Sequence, residues 1–210
     1  MSGNVRGLAE RRPRQHWFGP SSSSSKGSGH PVMFGLPQPA LDYGPFPDGG
    51  GYPHEFLKWA YRTMSRVSGR KCDPDNVLHL CSGSVQRGIT VDVRAEMKPT
   101  VVADCRDTGL KDESFDFIMA DPPYSVEYAK NLYGTEKKYP KPSQIVAEAC
   151  RLLRPGGCFG LLHFTVPVFK RPMRLVNVYG ISTGCGYNIR AWTLLQKDGF
   201  GPMLFDGAEG

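Results

Sequence analysis

The chain has 210 residues, 22% of them charged, with a formal net charge of +6 at pH 7. That length suits one domain with additional arms and a substantial core. No apolar run approaches the roughly 18 residues of a membrane span, and the polar, Arg-rich start lacks the apolar segment of a secretory signal, so a cytoplasmic protein with no membrane partner is expected.

The charge is unevenly placed. Within residues 1–30, Arg6, Arg11, Arg12, Arg14 and Lys26 oppose only Glu10, so this stretch carries +4 of the +6. With Ser21 to Ser25 and the Lys-Gly-Ser-Gly that follows, it reads as a disordered basic tail, able to add phosphate attraction but unable to bury a core. Residues 31–52 are rich in glycine and proline and interleaved with Phe34, Tyr43 and Phe46, the composition of an extended arm held by its aromatics. The folded domain is expected over 53–198, with a tail over 199–210. None of Cys72, Cys81, Cys105, Cys150, Cys158 and Cys185 forms a Cys-x-x-Cys pair. They read as reduced thiols, with no metal site.

Pro53 to Val67 has the apolar spacing of a first helix, with Arg62, Arg66 and Arg70 on another face. That basic face reads as solvated more readily than as a phosphate stripe. Asn76 to Leu80 is a first strand leading into Cys81-Ser82-Gly83-Ser84. Ile89 to Val93 and Thr100 to Ala103 follow as second and third strands. Only about eight and about six residues separate these strands, whereas a parallel crossover normally takes a dozen or more. Either the crossover helices are reduced to turns, or one of the strands is not parallel.

Phe115 to Ala120 is an apolar fourth strand that delivers Asp121-Pro122-Pro123-Tyr124 to the carboxyl edge of the sheet, where open α/β sheets bind ligands. The Asp carboxylate and a carbonyl on a Pro-stiffened turn can both accept from an NH2 group, while Tyr offers a flat surface for a planar ring. Accepting both N–H bonds would draw the nitrogen out of its ring plane and free its lone pair for attack. Ser125 to Leu132 reads as a short helix. The loop with Lys137, Lys138, Tyr139 and Lys141 suits a charged, stackable substrate as well as it suits solvent. Ser143 is the expected N-cap of a helix ending near Leu153, and Leu153-Arg154-Pro155-Gly156-Gly157 turns into a strand over Cys158 to Phe164. Strands over Leu175 to Ser182 and Asn188 to Gln196 complete the chain, joined by Thr183 to Tyr187. His163 reads as structural more readily than as a substrate contact.

Asp121-Pro122-Pro123-Tyr124 after an apolar strand resembles the catalytic motif of the amino-methyltransferases that use S-adenosylmethionine (SAM). Leu153 to Gly157 resembles the same family's turn before the fifth strand, and His79 to Ser84 resembles its Gly-rich turn, with Val85 where a second glycine is usual. The likeness spans about residues 76–196. It implies a class I methyltransferase, a Rossmann-like α/β fold with a mixed sheet ending in an antiparallel hairpin, here with shortened crossovers between the first three strands. It implies cofactor contacts from His79, Cys81, Ser82, Gly83, Asp92, Asp104, Cys105 and Asp121. Of these, Asp92 would accept from the ribose hydroxyls and Asp104 from the adenine amino group. Catalysis would fall to Asp121, Pro122, Pro123 and Tyr124.

The resemblance also implies a nucleic-acid partner, DNA before RNA, with methyl transfer to adenine N6 or cytosine N4 of a flipped-out base. No long insertion is available for target recognition, so loops or a partner protein would supply it. RNA base methylation, glutamine N-methylation (those enzymes resemble Asn-Pro-Pro-Tyr) and a non-catalytic scaffold remain as alternatives. Cytosine C5 chemistry is disfavoured, because the chain contains neither Pro-Cys nor Thr-Cys for the nucleophile.

Overall fold

A computed structural model describes residues 52–53, 55–133, 139–182 and 188–199. The expected basic tail, the arm as far as residue 51, Lys137 and Lys138, the Thr183 to Tyr187 connection and residues 200–210 lie outside the described residues. Helix α1, Phe56–Ser68, starts three residues after Pro53, whose carbonyl accepts from Phe56 N–H at 3.2 Å. Its apolar residues share one face, and Phe56, Ala60 and Met64 are buried. No helix among the described residues is long and apolar enough to cross a membrane.

Seven strands form one sheet: β1 (Leu78–Leu80), β2 (Ile89–Asp92), β3 (Val101–Val102), β4 (Phe115–Ala120), β5 (Leu153–His163), β6 (Met173–Ile181) and β7 (Arg190–Lys197). Their order is β3-β2-β1-β4-β5-β7-β6. The first five are parallel to their neighbours, and β7 runs antiparallel to both β5 and β6. This is the mixed, Rossmann-like sheet of the class I methyltransferase fold. Alternation along the central strands divides the core into two layers. Phe117, Met119, Cys158, Leu162, Trp192 and Leu194 pack with α1. Ile118, Ala120, Phe159, Leu161 and Leu195 pack on the other face with α3 (Pro142–Leu152), which follows the short helix α2 (Val126–Tyr133) in the chain.

The three first strands are parallel, and no α-helix joins them. The links over 81–88 and 93–100 hold only turns, the second containing one 3-10 turn at Ala95–Met97. Short strands make this possible. A strand of three residues rises roughly 10 Å, and eight extended residues reach about 27 Å, enough to return beside it. Gly88 then fits where no side chain could. With φ at 87°, a Cβ there would lie 2.5 Å from the Val77 carbonyl oxygen. Thr90 of β2 and Thr100, just before β3, exchange backbone-to-hydroxyl bonds of 2.8 and 3.2 Å that extend the short β2–β3 ladder.

The β3–β4 link also lacks an α-helix and is tied to α3 by a buried carboxylate. Glu148 accepts from Thr108 N–H at 2.9 Å, from its hydroxyl at 2.7 Å, and from Arg151. Burial would raise the Glu148 carboxyl, yet the Arg151 and Thr108 bonds hold it below its ordinary range.

Most element ends move by one to three residues from the sequence reading, and two of the differences have a clear physical cause. The N-cap of α3 is Lys141, not Ser143. Pro142 takes the first helical position, where its missing N–H costs nothing, and Gln144 Oε1 accepts from Lys141 N–H at 3.1 Å. Strand β5 begins at Leu153 rather than Cys158, because the Arg154 to Gly157 stretch remains extended as a register shift opposite Phe115–Phe117. Arg70 holds that stretch, bonding the Pro155 carbonyl at 3.0 Å and Asp116 at 2.5 Å. Its place is structural and not in a phosphate stripe.

Gly160 pairs with Met119 and Leu194, and an added Cβ would meet Trp192 Nε1 at 2.5 Å and Met119 Sδ at 2.8 Å. Gly160→Ala should therefore destabilise the fold by about 1–3 kcal/mol through overpacking, measured by urea denaturation.

Candidate active site

Parallel β1, β2, β4 and β5 end on one edge, and the residues just beyond Leu80, Asp92, Ala120 and His163 meet there. Cys81 hydrogen-bonds Cys105 and is close enough to Asp92 and Asp121 to feel their charge, so residues following β1, β3 and β4 and the last residue of β2 share this edge. The hydrogen bond with Cys105 and burial push the Cys81 thiol well above its ordinary range, so it stays protonated.

The turn after β1 is sharp, with φ 53° at Cys81 and 54° at Gly83. Gly83 N–H donates to Asp92 Oδ2 at 2.9 Å. Asp92 Oδ1 accepts from the backbone and Nε of Arg94, both at 3.0 Å, and Oδ2 also accepts from Arg94 Nη2 at 3.2 Å. These bonds use all four acceptor positions of the carboxylate. Asp104 repeats the arrangement with Arg106, through bonds of 3.0, 2.9 and 2.6 Å. Two Asp-x-Arg clasps thus stand at the ends of neighbouring strands, a pattern visible in the sequence as Asp92-Val93-Arg94 and Asp104-Cys105-Arg106. A ligand diol can reach Asp92 only as the Arg94 side chain withdraws, which returns two acceptor positions.

The expected cofactor residues separate into two groups. Ser82, Gly83, Asp92, Asp104, Cys81, Cys105 and Asp121 lie along the edge. His79 does not. It is fully buried toward α1, where its Nε2 bonds the Tyr61 hydroxyl at 3.1 Å, and burial lowers its pKa to about 4, leaving it neutral. The reason is strand alternation: Leu78 and Leu80 face α3, so His79 must face α1.

Asp121 sits at the end of β4 with its side chain 9% exposed. Burial raises its carboxyl from 3.8 to about 6, against the opposing effects of Arg190 and the Tyr124 hydrogen bond. Tyr124 donates its hydroxyl to Asp121 Oδ1 at 2.7 Å and accepts from Arg190 Nη1 at 2.7 Å. The same Arg190 nitrogen is 4.0 Å from Asp121 Oδ2. The Tyr124 ring lies 4.4 Å from Phe164 at a 48° tilt and meets His163 edge-on at 5.6 Å. It is therefore a bridging and packing residue as well as the flat surface the sequence suggested.

Three further site residues escaped the sequence reading or were undervalued by it. Tyr52 precedes α1, stacks on Phe56 at 5.8 Å, and lies near Asp121 and Cys81, which with burial raise its phenol. Arg190 opens β7. Tyr52-Pro53 and a basic residue opening an apolar strand were the available signals. His163 reaches the site from β5. Thr165 N–H donates to its Nδ1 at 3.1 Å, so Nε2 carries the proton, and burial lowers the ring's pKa.

The site is suited to a polar ligand. The Tyr52 hydroxyl, Ser82 Oγ and His163 Nε2 are buried with no hydrogen-bond partner among the described residues. Such groups are costly unless a ligand or water meets them. SAM, with an amino-acid end, a ribose diol and an adenine, carries donors and acceptors for them.

Asp92→Ala would remove the acceptor shared by the largely buried Arg94 side chain and the Gly83 N–H. It should destabilise the protein by about 3–5 kcal/mol, read as a fall in thermal or urea midpoint, before any effect on ligand binding is considered.

A family model described as "Methyltransferase domain" matches residues 56–161. A demethylmenaquinone methyltransferase from Protochlamydia amoebophila (strain UWE25) is 26% identical over 132 residues, covering 54% of this chain and 54% of that protein, so the chain spans about half the length of this curated relative. Among solved structures, an rRNA methylase from Streptococcus thermophilus aligns at 8% identity and a TM-score of 0.43, over 68% of this chain and 96% of that one. A 1,6-didemethyltoxoflavin-N1-methyltransferase from Burkholderia thailandensis, solved with S-adenosylhomocysteine, aligns at 14% identity and a TM-score of 0.41, over 68% and 78%.

Proposed function

This chain belongs to the methyltransferase-domain family, whose methyl donor is SAM, and on that premise we propose that it methylates the exocyclic amino nitrogen of a nucleobase, adenine N6 in DNA before other bases and RNA. The observation that carries this reading is the buried Asp121 carboxylate at the strand end, with Tyr124 and Phe164 forming an aromatic wall beside it. A carboxylate there attracts an N–H donor. Tyr124 takes only one of its acceptor positions and leaves others for an amino group.

SAM supplies an electrophilic methyl group: the nitrogen lone pair forms the new N–C bond while the C–S electron pair stays with sulfur. The chain's own residues orient the acceptor. Asp121 holds the amino hydrogens so that the lone pair faces the methyl carbon, and proline on both following positions stiffens the backbone that carries it. The nitrogen must shed one proton, and a carboxyl with a pKa of about 6 is matched to receive it at neutral pH. Ser82 and Gly83 would hold the amino-acid end of SAM, and Asp92, freed of the Arg94 side chain, would accept from the ribose hydroxyls.

The demethylmenaquinone relative favours a second reading, a small quinone-like ring against the same wall. Its ring carbonyls would face an ionised Asp121, acceptor against acceptor, so the amino reading is preferred.

Incubation with isotope-labelled SAM and DNA, RNA or a metabolite extract, followed by nucleoside mass spectrometry, tests this. Methylated adenine is expected from DNA. Label found only in small aromatic metabolites would replace the reading with the second one. Asp121→Ala should lower transfer far more than it weakens SAM binding, as expected for an interaction used mainly in the reacting geometry. Wild-type transfer should fall as pH drops through about 6, because protonation removes the acceptor. A flat profile from pH 5 to 8 would contradict that role.

A further inference from the structure

Arg190 is the first residue of β7, and because β7 runs antiparallel to β5 its start reaches the edge where β4 and β5 end. It is buried, and its Nη1 bonds the Tyr124 hydroxyl while standing 4.0 Å from Asp121 Oδ2. Its guanidinium carbon is 6.0 Å from the Tyr124 ring centroid.

We infer that Arg190 is the positioning residue of the site: it fixes the Tyr124 hydroxyl as a donor to Asp121 and keeps that carboxyl in its ionised, accepting form at neutral pH. The inference deepens the amino-methylation reading and rests on it for its role in transfer. The direction of the bonds follows from chemistry. An arginine only donates, so the Tyr124 oxygen must accept from it and give its one proton to Asp121. Arg190 therefore decides both the rotation of the hydroxyl and the charge beside the acceptor.

The other groups facing Asp121 cannot substitute for it. Tyr52, ahead of α1, is a buried phenol held neutral. Cys81, at the end of β1, is a thiol kept protonated by its Cys105 bond and burial. Tyr124, on the loop after β4, is also kept neutral by burial and by Asp121 itself. His163, which touches the Tyr124 ring from β5, is held neutral by burial. Among the described residues, Arg190 supplies the positive charge that opposes Asp121 desolvation. Removing it leaves the burial and takes away the compensation, so the carboxyl binds its proton at higher pH and presents a donor to an amino group that also donates.

The test compares Arg190→Ala, Arg190→Lys and Tyr124→Phe with wild type. Carbon-13 NMR of aspartate-labelled protein, with the Asp121 signal assigned by its loss in Asp121→Asn, gives the carboxyl midpoint directly. Removing the charge should move that midpoint up by about one pH unit or more, with the acid limb of the transfer profile moving in parallel. Arg190→Lys should recover most of the shift but not the full rate, because a single ammonium does not reproduce the guanidinium's placement. Tyr124→Phe keeps the ring and removes the bridge, so its midpoint should also rise. SAM affinity by calorimetry should stay near wild type in all three.

An Asp121 midpoint unchanged in folded Arg190→Ala, or in the neutral, similarly sized Arg190→Gln if the alanine variant does not fold, would overturn the inference. The NMR readout needs no substrate. A protein that methylates no nucleobase yet shows the midpoint shift would sink the amino-methylation reading and leave the electrostatic role of Arg190 standing.

Discussion

A carboxylate buried at the end of an apolar strand is the constraint that the edge of this sheet is arranged around. Asp121 ionises only at some cost, and the cost has a sign. Its folded-state pKa, about 6, lies above the ordinary 3.8. The stability linked to this group is therefore fully present below about pH 4 and is lost as pH rises through 6. At neutral pH the protein holds a charge that burial opposes, and Tyr124 and Arg190 are the groups that offset it. A buried carboxylate of this kind trades stability for a fixed acceptor, which a solvated aspartate on a turn would not provide.

The same economy of chain appears on the other side of β1. Parallel strands usually need helical crossovers, yet β1, β2 and β3 are joined by turns alone. Short strands, the close approach at Gly88 and the paired hydroxyls of Thr90 and Thr100 replace the missing helices. The two Asp-x-Arg clasps follow from that truncation. With no helix N-terminus over β2 or β3, Asp92 and Asp104 find their donors in the arginines two residues onward. This matters for ligand binding, since Arg94 occupies the acceptor positions that a ribose would need. A diol that took Asp92 as its acceptor would therefore have to displace the Arg94 side chain.

Fold and chemistry meet in β7. An antiparallel last strand is what lets Arg190 enter the carboxyl edge from its own N-terminal end, while Trp192 and Leu194 of the same strand fill the core against α1. Packing therefore sets the Arg190 guanidinium, and a shift of β7 by one residue would turn it to the opposite face.

The class of fold and the sheet edge where Asp92, Asp104 and Asp121 gather were legible in the residues alone. Those features depend on local patterns: apolar runs of strand length, a proline-stiffened tetrapeptide after the fourth strand, acids at successive strand ends. The sequence also located the helices of both sheet faces to within a few residues, with Pro142 and Lys141 settling the start of α3 by a backbone bond rather than by a serine cap. What only the tertiary structure decided were the partners of those residues. His79 falls in the α1 core because of strand parity, Arg70 braces the β5 register shift, Tyr52 arrives from outside the domain the composition outlined, and Arg190 meets Asp121 across 69 positions of sequence. Such contacts arise from burial and strand direction between distant segments, and no local pattern of residues encodes them.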